Sequence, residues 1–200
     1  MELLEPDSYR GGRAFYDFTP RIIYKNSQVH PDSDRMDYYE GKLNHLWVDL
    51  FILDKLPEGK LAMTRFIHKA IYGLAMGHRH DLDYSRYSLL HKIFVGGLAT
   101  AGKLIPLKWI ISMQKWAALK DRKSKGSRWY YSNYQPDYLY VTLEDDWCTK
   151  TEDAPFEDTQ LMIPKGYHQV LTEVYGDYMQ LPPEDKRVPT HSSQQIRVFD

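Results

Sequence analysis

Only one cysteine, Cys148, occurs in 200 residues, which excludes an internal disulfide and fits a reducing compartment. No nucleophile motif surrounds it, so it reads as a small packed thiol. Charge of one sign is also missing. Lys and Arg number 26 against 27 Asp and Glu, a formal net charge of −1, so no global field draws in nucleic acid and that partner class is set aside. Long apolar runs are absent too. The most apolar stretch, KLIPLKWIISMQKWAAL at 103 to 119, is interrupted by Lys108, Gln114 and Lys115 and falls short of the roughly 20 apolar residues a spanning helix needs. The N-terminal MELLEPDSYRGGR has no apolar core of a secretory signal. Neither repeats nor low-complexity tracts appear. With 42% hydrophobic and 14% aromatic residues the chain can bury a core, and one domain is the expectation.

The patterns that are present fall into three textures. RAFYDFTPRIIYKNSQV at 13 to 29 and HLWVDLFILD at 45 to 54 are β-branched and aromatic, and read as strands. From Lys60 to Lys120 the period turns helical, with Leu61, Phe66, Ile67, Ala70, Ile71 and Leu74 in one stripe and Leu89, Leu90, Ile93 and Phe94 in another. In the last of these helices Leu107, Ile110, Ile111, Met113 and Trp116 recur at helical spacing after Pro106, which reads as a core helix, with an interfacial helix whose tryptophans meet lipid as the alternative. After Arg128 come a strand at 138 to 143, a short strand at 161 to 163 stopped by Pro164, a helix at about 165 to 174 ended by Gly176, and an extended Pro-Pro tail. This last stretch is a closing flap or a structural clasp, in which Tyr175, Tyr178 and Met179 are expected to bury against the sheet and Gly176 to take positive φ.

Polar candidates are few. Asp17 and Asp54 could assist a cation, though an Asp at a strand end more often serves a turn. The basic loop KDRKSKGSR at 120 to 128 could meet phosphates, against the plainer reading of solvated cations at a helix C-terminus. His78 and His80, with Asp81 and Asp83, invite a metal, but no partner at helical or finger spacing supports zinc.

The order PFEDTQLMIPKGYHQVLTEVYGDYMQLPPEDKR at 155 to 187, then His191, resembles the C-terminal signature of the LicD family of phosphotransferases. HLWVDLFILDKLP at 45 to 57 resembles that family's central strand. The resemblance implies an α+β, nucleotidyltransferase-like mixed sheet with a helical section. It further implies transfer of phosphocholine, or a related phospho-alcohol, from a CDP-choline-like donor to a glycan acceptor such as lipopolysaccharide or teichoic acid. Mg²⁺ or Mn²⁺ is the implied cofactor, since phosphoryl transfer needs charge neutralisation and hard oxygen ligands. Asp49 matches the carboxylate of the central strand, and is expected to serve catalysis and metal binding; Lys165, Arg187 and His191 match positions expected to bind substrate.

Two family features are not in the 200 residues: a glycine-rich GTLLG-like turn and a WDDDIDI-like strand. Gly11 and Gly12 lack the following Leu-Leu-Gly, and Asp145 and Asp146 come in the wrong order. The expectation is therefore a single domain lacking the N-terminal part of the fold, with a sheet portion at 1 to 58, a helical section at 59 to 127 and a C-terminal portion at 128 to 200. Such a chain would bind Mg²⁺ weakly and be inactive or incomplete, a cytoplasmic protein with peripheral contact at the inner membrane face as an option. The alternatives are a non-catalytic remnant that binds nucleotide, glycan or a partner chain, and a structural helical domain held at a membrane through Trp109, Trp116 and the basic loop.

Overall fold

A computed structural model describes residues 1–29, 34–85, 87–125, 128–139, 141–181, 183, 184, 187 and 196–199. Its first sheet is antiparallel, ordered β1 (Glu2–Leu4), β2 (Arg21–Tyr24), β4 (Leu46–Asp49), and its register sets Arg21 opposite Asp49. β2 alternates buried and exposed, with Arg21 and Ile23 inward, the period-two pattern of a half-buried strand. Beneath it Leu4, Tyr9, Ala14, Ile23, Met36, Tyr39 and Leu43 form one core cluster, to which helix α1 (Asp34–Tyr38) contributes Met36. A short pair joins β3 (Ser27–Gln28) to β10 (Arg197–Val198).

The second sheet is ordered β5 (Leu53–Leu56), β6 (Arg128–Tyr131), β7 (Thr142–Glu144). The strands expected to share one sheet therefore divide between two, and the run at 45 to 54 is broken in the middle. The cause is a distant side chain. Leu50 N–H bonds the Pro20 carbonyl at 2.9 Å, while Asn133 donates to Leu50 O at 2.8 Å and accepts from Ile52 N–H at 2.8 Å, so the backbone between β4 and β5 is satisfied outside any ladder. The expected strand at 138 to 143 begins instead as a 3₁₀ turn at Pro136–Tyr138. Every strand pair among the described residues is antiparallel, where a mixed sheet was expected.

Between β5 and β6 in the chain come α2 (Leu61–Ala75), α3 (Leu89–Gly102) and α4 (Leu107–Leu119). Phe15 and Phe18 pack with Ile71, Ala75, Met76, Leu107, Ile110 and Ile111 into the largest core cluster, so the helices close over the segment that leads into β2. α2 and α3 approach at glycines: a Cβ on Gly102 would stand 1.9 Å from Leu74 O. α4 is tied to the second sheet by Gln114, whose amide donates to Ser132 O at 3.0 Å. Its Met113 and Trp116 do not join the core, being 41% and 61% exposed. The stripe Leu89, Leu90, Ile93 and Phe94 is likewise exposed.

C-terminally, α5 (Asp145–Cys148) precedes a hairpin of β8 (Thr151–Phe156) and β9 (Thr159–Pro164), then α6 (Tyr167–Tyr175). Gly176 has φ 72 and ψ −132, a region open essentially to glycine alone. The clasp does not bury these side chains against a sheet: Tyr175 and Met179 are 70% and 75% exposed, and Tyr178, half-buried, meets His168 instead, because the hairpin and α6 themselves stand largely in solvent.

Candidate functional site: an arginine cluster around Tyr16

Residues 14 to 20 run without a ladder into β2, and this irregular segment assembles the site. Asp17 Oδ1 accepts from Thr19 N–H at 2.9 Å, the local turn its residue type favours. The same carboxylate grips the Arg21 guanidinium with both oxygens, Oδ1 from Nη1 at 2.9 Å and Oδ2 from Nη2 at 2.6 Å. Arg21 Nη1 also donates to Thr19 O at 2.9 Å. On the other side, Arg21 Nε lies 2.9 Å from Asp49 Oδ1, close enough for an ion pair but too far off line for a hydrogen bond. Burial works against the Arg21 charge, yet the hydrogen bond and charge of Asp17 hold its pKa above the ordinary arginine range.

Tyr16 forms the hub. The guanidiniums of Arg21, Arg35 and Arg79 lie 5.0, 5.1 and 5.1 Å from its ring centroid, within reach of the ring's negative face. Arg35 Nη2 donates to the Tyr16 hydroxyl at 2.5 Å, and Arg79 Nη1 to the Tyr16 carbonyl at 3.2 Å. Asp81 balances these cations: Arg79 Nε donates to Oδ1 at 2.9 Å and Arg35 Nε stands 3.6 Å from Oδ2. Burial alone would raise the Asp81 carboxyl, but the Arg79 hydrogen bond and the two arginine charges hold it below the usual carboxylate range. Outside this layer His80 stacks on Tyr38 at 4.2 Å, and Arg10 sits 4.7 Å from the Tyr38 centroid.

The chemical capacity of this arrangement is anion recognition. A guanidinium offers paired donors that match phosphate oxygens. Arg21 is a buried strut, whereas Arg35 has a side chain 41% exposed and Arg10 is exposed, so the outer cations can meet a ligand while the inner one fixes their frame. An open cavity of about 400 Å³ adjoins the segment, with Gly12, Arg13, His78 and Lys108 in its wall; Phe15 N–H ties the two regions together through His78 O at 3.0 Å.

A divalent cation does not fit the described residues by themselves. Among them no three His, Cys, Asp or Glu side chains gather as a metal group, and the Asp49 carboxylate is engaged by Arg21. Mg²⁺ demands near-octahedral oxygen coordination. Asp54 accepts from the Ser132 hydroxyl at 2.5 Å. His78 Nε2 lies 2.9 and 3.0 Å from the carbonyls of Gly102 and Ile105, and Asp83 binds Ser85.

Other expected site residues are not brought together. Lys165 follows the end of β9, its N–H bonded at 2.8 Å to the carbonyl of Lys150, which immediately precedes β8. No hydrogen bond or ion pair among the described residues links it to Asp49. Arg187 is exposed on the tail, with its N–H bonded to Glu184 O at 3.2 Å, and His191 lies outside the described residues. In the basic loop, Lys120 pairs with Asp121 and Arg128 with Glu144. Asp145 takes hydrogen bonds from Lys55 and, at 2.7 Å, from Trp129 Nε1, a structural use. Burial, with Asp145 and Asp146 nearby, pushes the Cys148 thiol up and so keeps it protonated and unreactive.

Sequence reasoning missed Tyr16, Arg21, Arg35 and Arg79, and it singled out Asp81 for a metal where the structure pairs it with Arg79 and Arg35. The spacing of Asp17 and Arg21 at i and i+4 was the one local signal available; the rest converge from separate elements.

No family model matches the chain, and no solved structure does. It is 53% identical over 168 residues to the lipopolysaccharide cholinephosphotransferase LicD of Haemophilus influenzae. That match covers 76% of this chain and 57% of the relative, so the chain spans little more than half of the curated relative's length.

Proposed function

Since this chain belongs to the LicD family, we propose that it serves the transfer of phosphocholine, or a related phospho-alcohol, from a CDP-linked donor to a lipopolysaccharide or other surface glycan. The observation that carries this reading is the 53% identity to a protein named for that activity. The arginine cluster supports it, because a donor diphosphate is the kind of anion such a cluster suits.

In the proposed reaction the glycan hydroxyl oxygen attacks the phosphorus that bears choline. The bond from that phosphorus to the bridging oxygen breaks, and CMP leaves with the oxygen and its electron pair. The hydroxyl proton passes to a base or to solvent. Negative charge grows on the departing CMP, and preorganised guanidiniums lower its cost without reorganising during the step. Arg35 and Arg79 are the residues assigned to that charge; Arg21 and Asp17 hold them by fixing Tyr16. Mg²⁺ or Mn²⁺ would need oxygens beyond Asp49, from the donor phosphates and further oxygen ligands. A nucleotidyltransferase-like fold is part of the same proposal.

The chain by itself is proposed to be inactive, since Asp49 is committed to Arg21 and no metal group forms around it among the described residues. The test is CMP release from CDP-choline with a lipopolysaccharide acceptor, for the chain alone and for the chain fused to the portion of the relative that the match leaves out. Release is expected only from the fusion, and Asp49→Asn should abolish it there. Turnover by the chain alone, with Asp49→Asn as active as the parent, would overturn both the inactivity and the role of Asp49.

A further inference from the structure

We infer that the bent pair α3–α4 is a docking surface for an anionic lipid bilayer. Two observations meet there, one of shape and one of charge, and neither depends on the transferase reading.

The shape lies in residues that the core does not use. α4 is apolar on two faces: Leu107, Ile110, Ile111 and Ala117 are buried, while Trp109, Met113 and Trp116, spaced i, i+4 and i+7, are 62%, 41% and 61% exposed. In α3 only Ala99 and Gly102 are buried. Its N-terminal turns project free of the fold, with Leu89, Leu90 and Ile93 at 73%, 80% and 66% exposure, and Leu104 in the bend at 85%. Isolated exposed apolar residues are ordinary, but so many large ones on two consecutive helices mark an interaction surface.

The charge says what kind of partner fits. Between Asp83 and Asp121 the sequence contains no Asp or Glu, whereas Arg86, Lys92, Lys103, Lys108, Lys115 and Lys120 fall in that span. In a chain whose overall charge nearly cancels, this is a strongly one-signed segment laid on the apolar residues. Exposed tryptophan and leucine in a segment whose charged residues are all cations suit a surface that is apolar within and anionic at its head groups. Tryptophan also favours the interfacial depth, where its ring is buried and its N–H stays wet.

The geometry limits the contact to the surface. α3 and α4 meet at 117°. With 14 and 13 residues at about 1.5 Å of rise each, neither reaches the roughly 30 Å of a hydrocarbon core. No single helix among the described residues is long and apolar enough to cross a membrane.

The test is co-sedimentation of the whole chain with phosphatidylcholine vesicles with or without phosphatidylglycerol, together with tryptophan emission. The expected result is binding and a blue shift on the anionic vesicles only, released by salt. Each lysine near the surface contributes about fivefold in partition. Lys108→Glu with Lys115→Glu should therefore weaken binding by about 25-fold or more, and Trp109→Gln with Trp116→Gln should remove the blue shift. Both pairs change exposed residues, and unchanged circular dichroism would confirm that each folds. Binding that is absent, equal on neutral vesicles, or unaltered by the charge reversals would overturn the proposal. So would light scattering that shows a dimer with these tryptophans shielded in the absence of lipid.

Discussion

Arg21 is the residue on which the site's stability turns, for it is 5% exposed and holds Asp17, Thr19 and Asp49 at once. Removing one member of a buried ion pair leaves the other charge uncompensated. Arg21→Met is expected to cost about 3 kcal/mol in urea unfolding; a loss under about 1 kcal/mol would show that solvent already screens the pair. His68 supplies a prediction of another kind. It is 5% exposed, its Nε2 lies 3.1 Å from the Tyr130 hydroxyl, and burial, with a smaller effect of Lys120, pushes its pKa from 6.5 down to about 4. The native state thus binds fewer protons than the unfolded chain in this window, so stability falls as pH drops from about 6.5 to about 4 and levels off below. The full loss is about 3 kcal/mol. His68→Phe should flatten that part of the profile, and an unchanged slope in the variant would assign the effect elsewhere.

Among the elements, α3 offers a contrast between two of its own glycines. A Cβ on Gly97 meets nothing within 4 Å, whereas one on Gly102 collides with Leu74 O. Gly97→Ala should stabilise by about 0.5–1 kcal/mol through helix propensity, and Gly102→Ala should destabilise by about 2 kcal/mol through forced separation of α2 and α3. Thermal unfolding of the two variants checks the pair; equal effects would mean that the close approach is not formed. Helices were the most legible elements in the sequence, because a 3.6-residue period over a dozen positions is a redundant signal. Which apolar stripe faces inward was not legible. Trp116 fits the same spacing as Ile110, and only the neighbours of α4 decide that one is buried and the other exposed. The break between β4 and β5 was hidden for a related reason. Leu50, Phe51 and Ile52 look like uninterrupted strand, and the residue that interrupts them, Asn133, is about eighty positions away.

At the scale of the molecule, Asp49 shows both the reach and the limit of reading a chain by its local motifs. Its place on a strand was legible in HLWVDLFILD, and the strand is there, though at the edge of its sheet and not at the centre. Its partner was not legible, because the Arg21–Asp49 pairing is a product of strand register and the guanidiniums around Tyr16 come from β2, α1 and the segment after α2. A site drawn from several elements leaves little trace in any one of them. Its central claim is that this cluster receives a CDP-linked donor, and phosphorus NMR of CDP-choline titrated with the chain tests that most directly, since even weak binding broadens a resonance. The account predicts broadening of the diphosphate signals by the parent chain and its loss in Arg35→Ala with Arg79→Ala. Sharp signals with the parent, or broadening that survives in the double variant, would contradict it.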